Sequence, residues 1–339
     1  MKRIIAVVSA ERAFTERFCD YINNNGHIVF SAVPFFDMES LRGYRKEHEV
    51  PVLLCDSELL RDEVLLSDFG GIRTIPLCED RRAGEEEKAI YKYQSAEAIV
   101  REIMDCLGDD RFTGGMSFTG RPVSVVGIYS PGLYEMKTSF ALAMAAELRK
   151  KRKVLFLNFD EFSGLSELAG AENPRGLSNM LYYLKQGTLT GQRILSMVYS
   201  LSGFDYVPPV RFADDYSAIT GEECARLVQT VFSETLYDTV VADLPPSFMV
   251  SSDVLDLCEA VYLPSEELRE SAGRIRAFEN YLVLSGRTKL LGKIRKVRIP
   301  HTEIPEKKAL TGSEYVDLLS LGRMGEICQK EVAELGDGQ

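Results

Sequence analysis

Lys137 and Thr138 open a helical run, and Asp160 and Asp243 close two apolar ones, so residues able to handle phosphate and metal are delivered at element ends. From Ser124 the chain reads as a strand, a short loop holding Gly132, a helix beginning at Lys137, and a second strand ending near Asp160. This is the frame of a phosphate-binding loop. Main-chain N–H groups and a helix N-terminus face a polyphosphate, a lysine neutralises its charge, and the following hydroxyl holds Mg2+. Further on, Tyr237 to Pro246 is an apolar strand that delivers the Asp243 carboxylate at its C-terminal end, where a metal-holding acid belongs in a parallel sheet. The expected chemistry is binding of a polyphosphate with Mg2+, with Gly132, Leu133, Tyr134, Glu135, Met136, Lys137, Thr138 and Ser139 around it.

The loop departs from the pattern G-x-x-x-x-G-K-[ST]. Pro131 and Met136 stand where glycines are asked for, and Gly132 lies five before the lysine. Leu133, Tyr134 and Glu135 fill positions where backbone must approach phosphate, so their side chains are expected to obstruct it. Any of them needing a positive φ would cost about 1–2 kcal/mol. Glu135 also brings negative charge toward a negative ligand. The plain alternative is a solvated lysine that merely starts an amphipathic helix.

Short β-branched runs alternating with helical periodicity must position these residues, which predicts parallel α/β sheets. In the first half strands are expected over 4–8, 27–33, 52–55, 73–78 and 89–91, and helices over 13–23, 38–48 and 96–107. In the second, strands are expected over 123–129, 153–159 and 239–242, with a helix over 137–150. The stretch GDDRFTGGMSFTGRP predicts a linker, giving domains at 1–108 and 122–339 joined by 109–121. With 45% apolar and 27% charged residues the chain is globular in composition, which excludes a disordered or fibrous protein. Its net charge of −11 argues against a general nucleic-acid coat, and residues 1–120 hold 22 of the 51 acids but 15 of the 40 bases. Seven scattered cysteines without a C-x-x-C pair read as reduced thiols in the cytoplasm, and the three unclustered histidines argue against zinc. No apolar run reaches the ~18 residues a membrane span needs, so no direct membrane insertion is expected. The first ten residues are too short and wrongly flanked for a signal peptide.

The run Val126-Gly-Ile-Tyr-Ser-Pro131, followed by Met136-Lys-Thr-Ser-Phe-Ala-Leu142, resembles the first strand, deviant Walker loop and helix of MinD/ParA-type ATPases. Lys153 to Gly164 resembles that family's second strand and acidic segment, and Asp243-Leu-Pro-Pro246 its D-x-P-P element. Val52-Leu-Leu-Cys-Asp56-Ser-Glu58 and Tyr91-Lys92-Tyr-Gln-Ser95 resemble an atypical receiver domain. That two-domain order is similar to TadZ/CpaE-type pilus-assembly proteins. The resemblance implies a receiver-like, flavodoxin-like parallel-sheet domain followed by a P-loop NTPase-like doubly wound α/β domain. It makes Lys137 the β/γ-phosphate lysine, Thr138 the Mg2+ hydroxyl and Asp243 the carboxylate holding a metal-bound water. Asp160 takes the catalytic place that orients attacking water, although Glu161 beside it could claim the role, and Pro300 falls near the adenine. The family carries a further lysine five before the Walker lysine. Here that place is Gly132, with no Lys or Arg from Val123 to Met136, which implies slow or absent hydrolysis.

In the receiver-like half the resemblance gives Asp56 the phosphoacceptor place and Lys92 the place that pairs with the phosphoryl group. Ser9-Ala10-Glu11 supplies one displaced acid where a pair is expected, and Cys78 stands where a hydroxyl would be. Poor Mg2+ retention follows, so a docking or dimerisation module is the implied role. Ten bases between Arg274 and Lys308 leave a window for non-specific DNA, but 289–298 also fits an exposed edge strand kept soluble by charge. A final helix over 315–335 carries an acidic polar face, which anionic lipid repels, and its Val316, Leu319, Met324 and Ile327 read as core. The implied function is a spatial organiser that places a pilus or secretion apparatus as an ATP-stabilised homodimer. Partners at that apparatus would recruit it to a cell pole or membrane-bound machine. Its rivals are an active partition or positioning ATPase, a nucleotide-free scaffold and an atypical response regulator.

Overall fold

Strand-forming runs separated by helices build two parallel sheets, one in each of two units, Met1–Gly114 and Gly115–Gln339. The computed structural model describes residues 3–24, 28, 30–61, 71–80, 89–107, 122–132, 134–170, 175–212, 214–215, 219–266, 269–299 and 310–336. The expected linker at 109–121, together with Leu133, Pro300, Lys307 and Lys308, lies outside the described residues.

In the first unit, β1 (Arg3–Val8), β2 (Phe30–Phe35), β3 (Val52–Asp56), β4 (Arg73–Cys78) and β5 (Ile90–Tyr91) pair in the order β2-β1-β3-β4-β5, all parallel. This is the flavodoxin-like order. Pro34 is tolerated in β2 because that strand is an edge. The helix expected over 38–48 is shorter, Met38–Tyr44, with the Asp37 carboxylate accepting from the Ser40 N–H at 2.7 Å at its start. It stops early because the chain must become extended at Val50-Pro51 to enter β3.

In the second unit, β6 (Ser124–Ile128), β7 (Val154–Asn158), β8 (Tyr199–Leu201), β9 (Phe204–Val207), β10 (Thr239–Asp243), β11 (Ala260–Ser265) and β12 (Ile294–Arg298) pair in the order β12-β11-β6-β10-β7-β9-β8. All neighbours are parallel except the β8–β9 hairpin, whose two-residue turn puts Ser202 and Gly203 at φ 44° and 80° as a type I′ turn requires. Strands β8, β9 and β11 were not among the expected elements. Alternate residues serve opposite layers: Val125, Leu155, Leu157, Val240 and Val261 face one core, and Val126, Phe156, Val241 and Tyr262 the other.

The helix Lys137–Leu148 lies in the second of these cores with almost every residue buried, and its alanines let the sheet and the two C-terminal helices close on it. Two expectations need correction. The edge strand over 289–298 forms only in its second half. Thr288–Lys293 is a helix, because the adjacent Leu290 and Leu291 suit a helix face and break strand alternation. The final helix is two, Gly312–Leu321 and Arg323–Gly336, parted by an extended Gly322, although Val316, Leu319 and Met324 are buried as expected.

Candidate functional site

Strands β6, β10 and β7 are neighbours in register, with Asp243 opposite Ile128 on one side and Asn158 on the other, so their C-terminal ends form one crevice. The loop after β6 returns the chain to Lys137 at a helix start that no side chain caps. There Lys137 Nζ lies 2.6 Å from Asp243 Oδ1, 2.9 Å and 3.0 Å from the two Asp160 oxygens, and donates to the Leu244 carbonyl at 2.7 Å. The Thr138 hydroxyl donates to Asp243 Oδ2 at 2.7 Å, and Asn158 Nδ2 donates to the same oxygen at 2.8 Å. Asn158 also accepts from the Asp160 N–H at 3.0 Å. The sequence reading missed Asn158. Its place beside Asp243 across a parallel pair was the available signal, once β7 and β10 were known to be neighbours.

Burial alone would lower the Lys137 ammonium, but Asp243 and Asp160 outweigh it and hold the group above its usual range. Burial, then the Asp243 charge, push the Asp160 carboxyl up, and Lys137 only partly restores it. Counting Lys137, Asp160, Asp243 and nearby Glu135, the site has more acids than bases, an arrangement that accepts a cation. Asp243 Oδ1 is buried without a hydrogen-bond partner despite its ion pair. A hydroxyl and a carboxylate with spare oxygen capacity are hard oxygen donors suited to Mg2+, so the residues fit a metal–polyphosphate.

Among the described loop residues, the strain expected of the missing glycines is absent. No described residue between Pro131 and Met136 takes a positive φ, so the missing glycines cost no left-handed strain there. Tyr134 and Met136 pack against the core beneath the helix, which leaves Glu135 as the exposed side chain among them. Ser139 bonds the Tyr315 hydroxyl at 2.8 Å and ties the loop helix to Gly312–Leu321. Gly132 is needed for another reason. A Cβ built there would lie 2.5 Å from Arg274 Nη1 and 2.6 Å from its Cδ. The loop lacks its own base, as the sequence reads, yet a helix 142 positions along the chain brings one to it.

In the first unit Asp56 and Lys92 do meet. Lys92 Nζ is 3.3 Å from Asp56, 3.1 Å from Glu11 and 3.4 Å from Glu79, and it donates to Ser9 Oγ at 3.0 Å. Glu11 therefore joins the cluster despite its displacement in sequence, and Glu79, next to Cys78, is an acid the sequence reading missed. Burial would lower the ammonium, but Glu11 and Asp56 hold it above its usual range. Cys78 is buried in β4. Among the described residues no group of three or more metal-ligating side chains is gathered for a metal, and no helix is long and apolar enough to cross a membrane.

No protein-family model and no curated protein matches the chain in sequence. Solved structures do. The ParA family ATPase from Chlorobium tepidum TLS is similar with a TM-score of 0.50 at 17% identity, covering 62% of this chain and 98% of that one. The septum site-determining protein MinD from Pyrococcus horikoshii OT3, complexed with Mg-ADP, gives 0.48 at 14%, covering 63% and 97%. A plasmid partition protein from Borrelia burgdorferi gives 0.45 at 16%, covering 63% and 100%. The second unit has the ParA/MinD-type P-loop NTPase fold, and the first has a flavodoxin-like parallel sheet.

Proposed function

We propose that the chain is a nucleotide-dependent spatial organiser of the TadZ/CpaE type, which places a pilus or secretion apparatus and works as an ATP-stabilised homodimer. One observation carries the reading: Lys137, Thr138, Asn158, Asp160 and Asp243 converge at the C-terminal ends of three central strands, beneath an uncapped helix N-terminus. Lys137 would leave its carboxylates for the polyphosphate, and Thr138 and Asp243 would hold Mg2+. The metal ion would supply charge neutralisation when bound. Asp160 can orient water only after Lys137 releases it, a reorganisation that supports slow turnover. Nucleotide then acts by binding one assembly state better than another. The two-unit division supports domains at 1–108 and 122–339, and the occupied Lys92 cluster supports a docking role for the first.

The DNA-moving alternative is less well supported. Lys296 pairs with Glu279, Arg287 with Asp256, and Lys293 donates to the Asp256 carbonyl, so part of the basic run is already spent on internal acids and carbonyls. Sedimentation with and without ATP and Mg2+ tests the proposal. A nucleotide-dependent dimer that Lys137→Ala abolishes is expected. Turnover comparable to ordinary P-loop ATPases, lost in Lys137→Ala, would favour the active enzyme instead. No binding at millimolar ATP would leave a scaffold.

A further inference from the structure

The loop after β6 has a charge deficit. Lys137 is already matched by Asp160 and Asp243, and Glu135 adds a further negative charge, so a polyanion arriving there meets net repulsion. One cation over the loop is uncommitted. Arg274 is exposed, and among the described residues it makes no ion pair or hydrogen bond. Its stem and guanidinium lie across Gly132 so closely that a single added methyl would collide with both.

The helix that carries Arg274 is held in place. It belongs to the helix Arg269–Leu284, one turn before Phe278 on the same face. Phe278 is buried, its ring 5.1 Å from Tyr129, the residue that leads β6 into the loop, and 5.7 Å from Phe248. Ile275 and Leu282 are buried beside it. The aromatic contacts fix the helix against the strand whose end carries the loop, and with it the backbone from which Arg274 reaches the loop. A guanidinium without an acid partner among the described residues, placed over a glycine at an acid-rich phosphate loop, is suited to an anion and to little else.

We propose that Arg274 is a phosphate-binding residue for a nucleoside polyphosphate held by its own subunit, and that Gly132 is glycine to leave room for it. This rests on the nucleotide reading of Lys137. It assigns the loop's free positive charge to a helix far along the chain.

Titration of a fluorescent, non-hydrolysable ATP analogue with Mg2+, followed by anisotropy, tests it on the full chain. Arg274→Ala should weaken binding about ten- to a hundred-fold, the scale of one charge-assisted contact, and Arg274→Lys should recover part of the loss. Gly132→Ala should weaken it by a similar factor by displacing the arginine. The double variant should be no weaker than either single one, because both remove the same contact. Thermal melts should leave Arg274→Ala close to the parent, since the side chain is exposed. Parent and Arg274→Ala binding equally, or Gly132→Ala and Arg274→Ala losses that add, would overturn the proposal while leaving nucleotide binding intact. A parent chain that binds no analogue would overturn the nucleotide reading and this inference together.

Discussion

Each unit of this molecule buries one lysine among carboxylates at the C-terminal side of a parallel sheet, and the two differ in how many of those acids reach water. Around Lys137 the acids lie deep: the Asp243 side chain is 0% exposed and that of Asp160 20%. Around Lys92 the ammonium lies deep, at 1%, with Asp56 at 18%, while Glu11 and Glu79 are 43% and 68% exposed. The second unit therefore stores buried negative charge whose balance depends on one movable cation, beside a hydroxyl and a helix N-terminus. The first stores a buried positive charge, two of whose three acid partners, Glu11 and Glu79, can turn to water. The former gains more when a cation-bearing ligand replaces the lysine, which supports the proposed ligand site in the second unit.

Removing each lysine should expose that asymmetry. Lys137→Ala leaves Asp243 and Asp160 without their cation in a dry crevice, so denaturant unfolding at neutral pH should show a loss of about 3–5 kcal/mol. The deficit should narrow on acidification. Asp160 already titrates above its ordinary range, and without Lys137 nothing comparable opposes that rise, so it takes up a proton earlier and sheds the buried charge. Lys92→Ala should cost less, about 1–2 kcal/mol in the same measurement, because Glu11 and Glu79 regain water and Asp56 alone stays shielded. Equal losses for the two variants would break the comparison. A third measurement concerns Asp56. With Glu11 and Asp56 both turned to Lys92, incubation with acetyl phosphate and Mg2+ should leave Asp56 unmodified by intact mass, and an added phosphoryl group would show the cluster opens.

How much of this was legible beforehand follows from where information sits in a chain. Lys137, Thr138 and Asp243 could be read because each ends or begins an element whose periodicity is local, and β10 delivers Asp243 where its apolar run stops. The helix Ala96–Leu107 was read to the residue for the same reason. Asn158, Glu79 and Arg274 were not, because each acts across a contact that neighbouring sequence does not encode: a strand pair, a strand-end loop and a distant helix. The loop carried a second demand on glycine that local sequence does not show. Glycine was weighed there for close approach to phosphate and for positive φ, while a Cβ at Gly132 would also meet the distant Arg274. The break at Gly322 was missed because apolar spacing continues through it, with Leu319 and Met324 entering one core from two helices.

The smallest effect lies at alkaline pH and separates the two lysines by their surroundings. Both ammonium groups sit above their ordinary value of 10.5 in the folded chain, each because its acids outweigh burial. A base whose folded pKa is raised contributes stability that is complete below the unfolded value and lost as pH climbs through the folded one. Neither lysine should therefore bend the stability curve between pH 7 and about 10, and both should pull it down above that. In Lys137→Ala the fall above 10.5 should be shallower than in the parent by one group's share, and in Lys92→Ala likewise. With both replaced, the alkaline slope should lose two shares. Should the parent instead lose this stability below pH 10, burial would have beaten the carboxylates at one site. The single variant whose curve stays flat over that interval would identify which lysine it was.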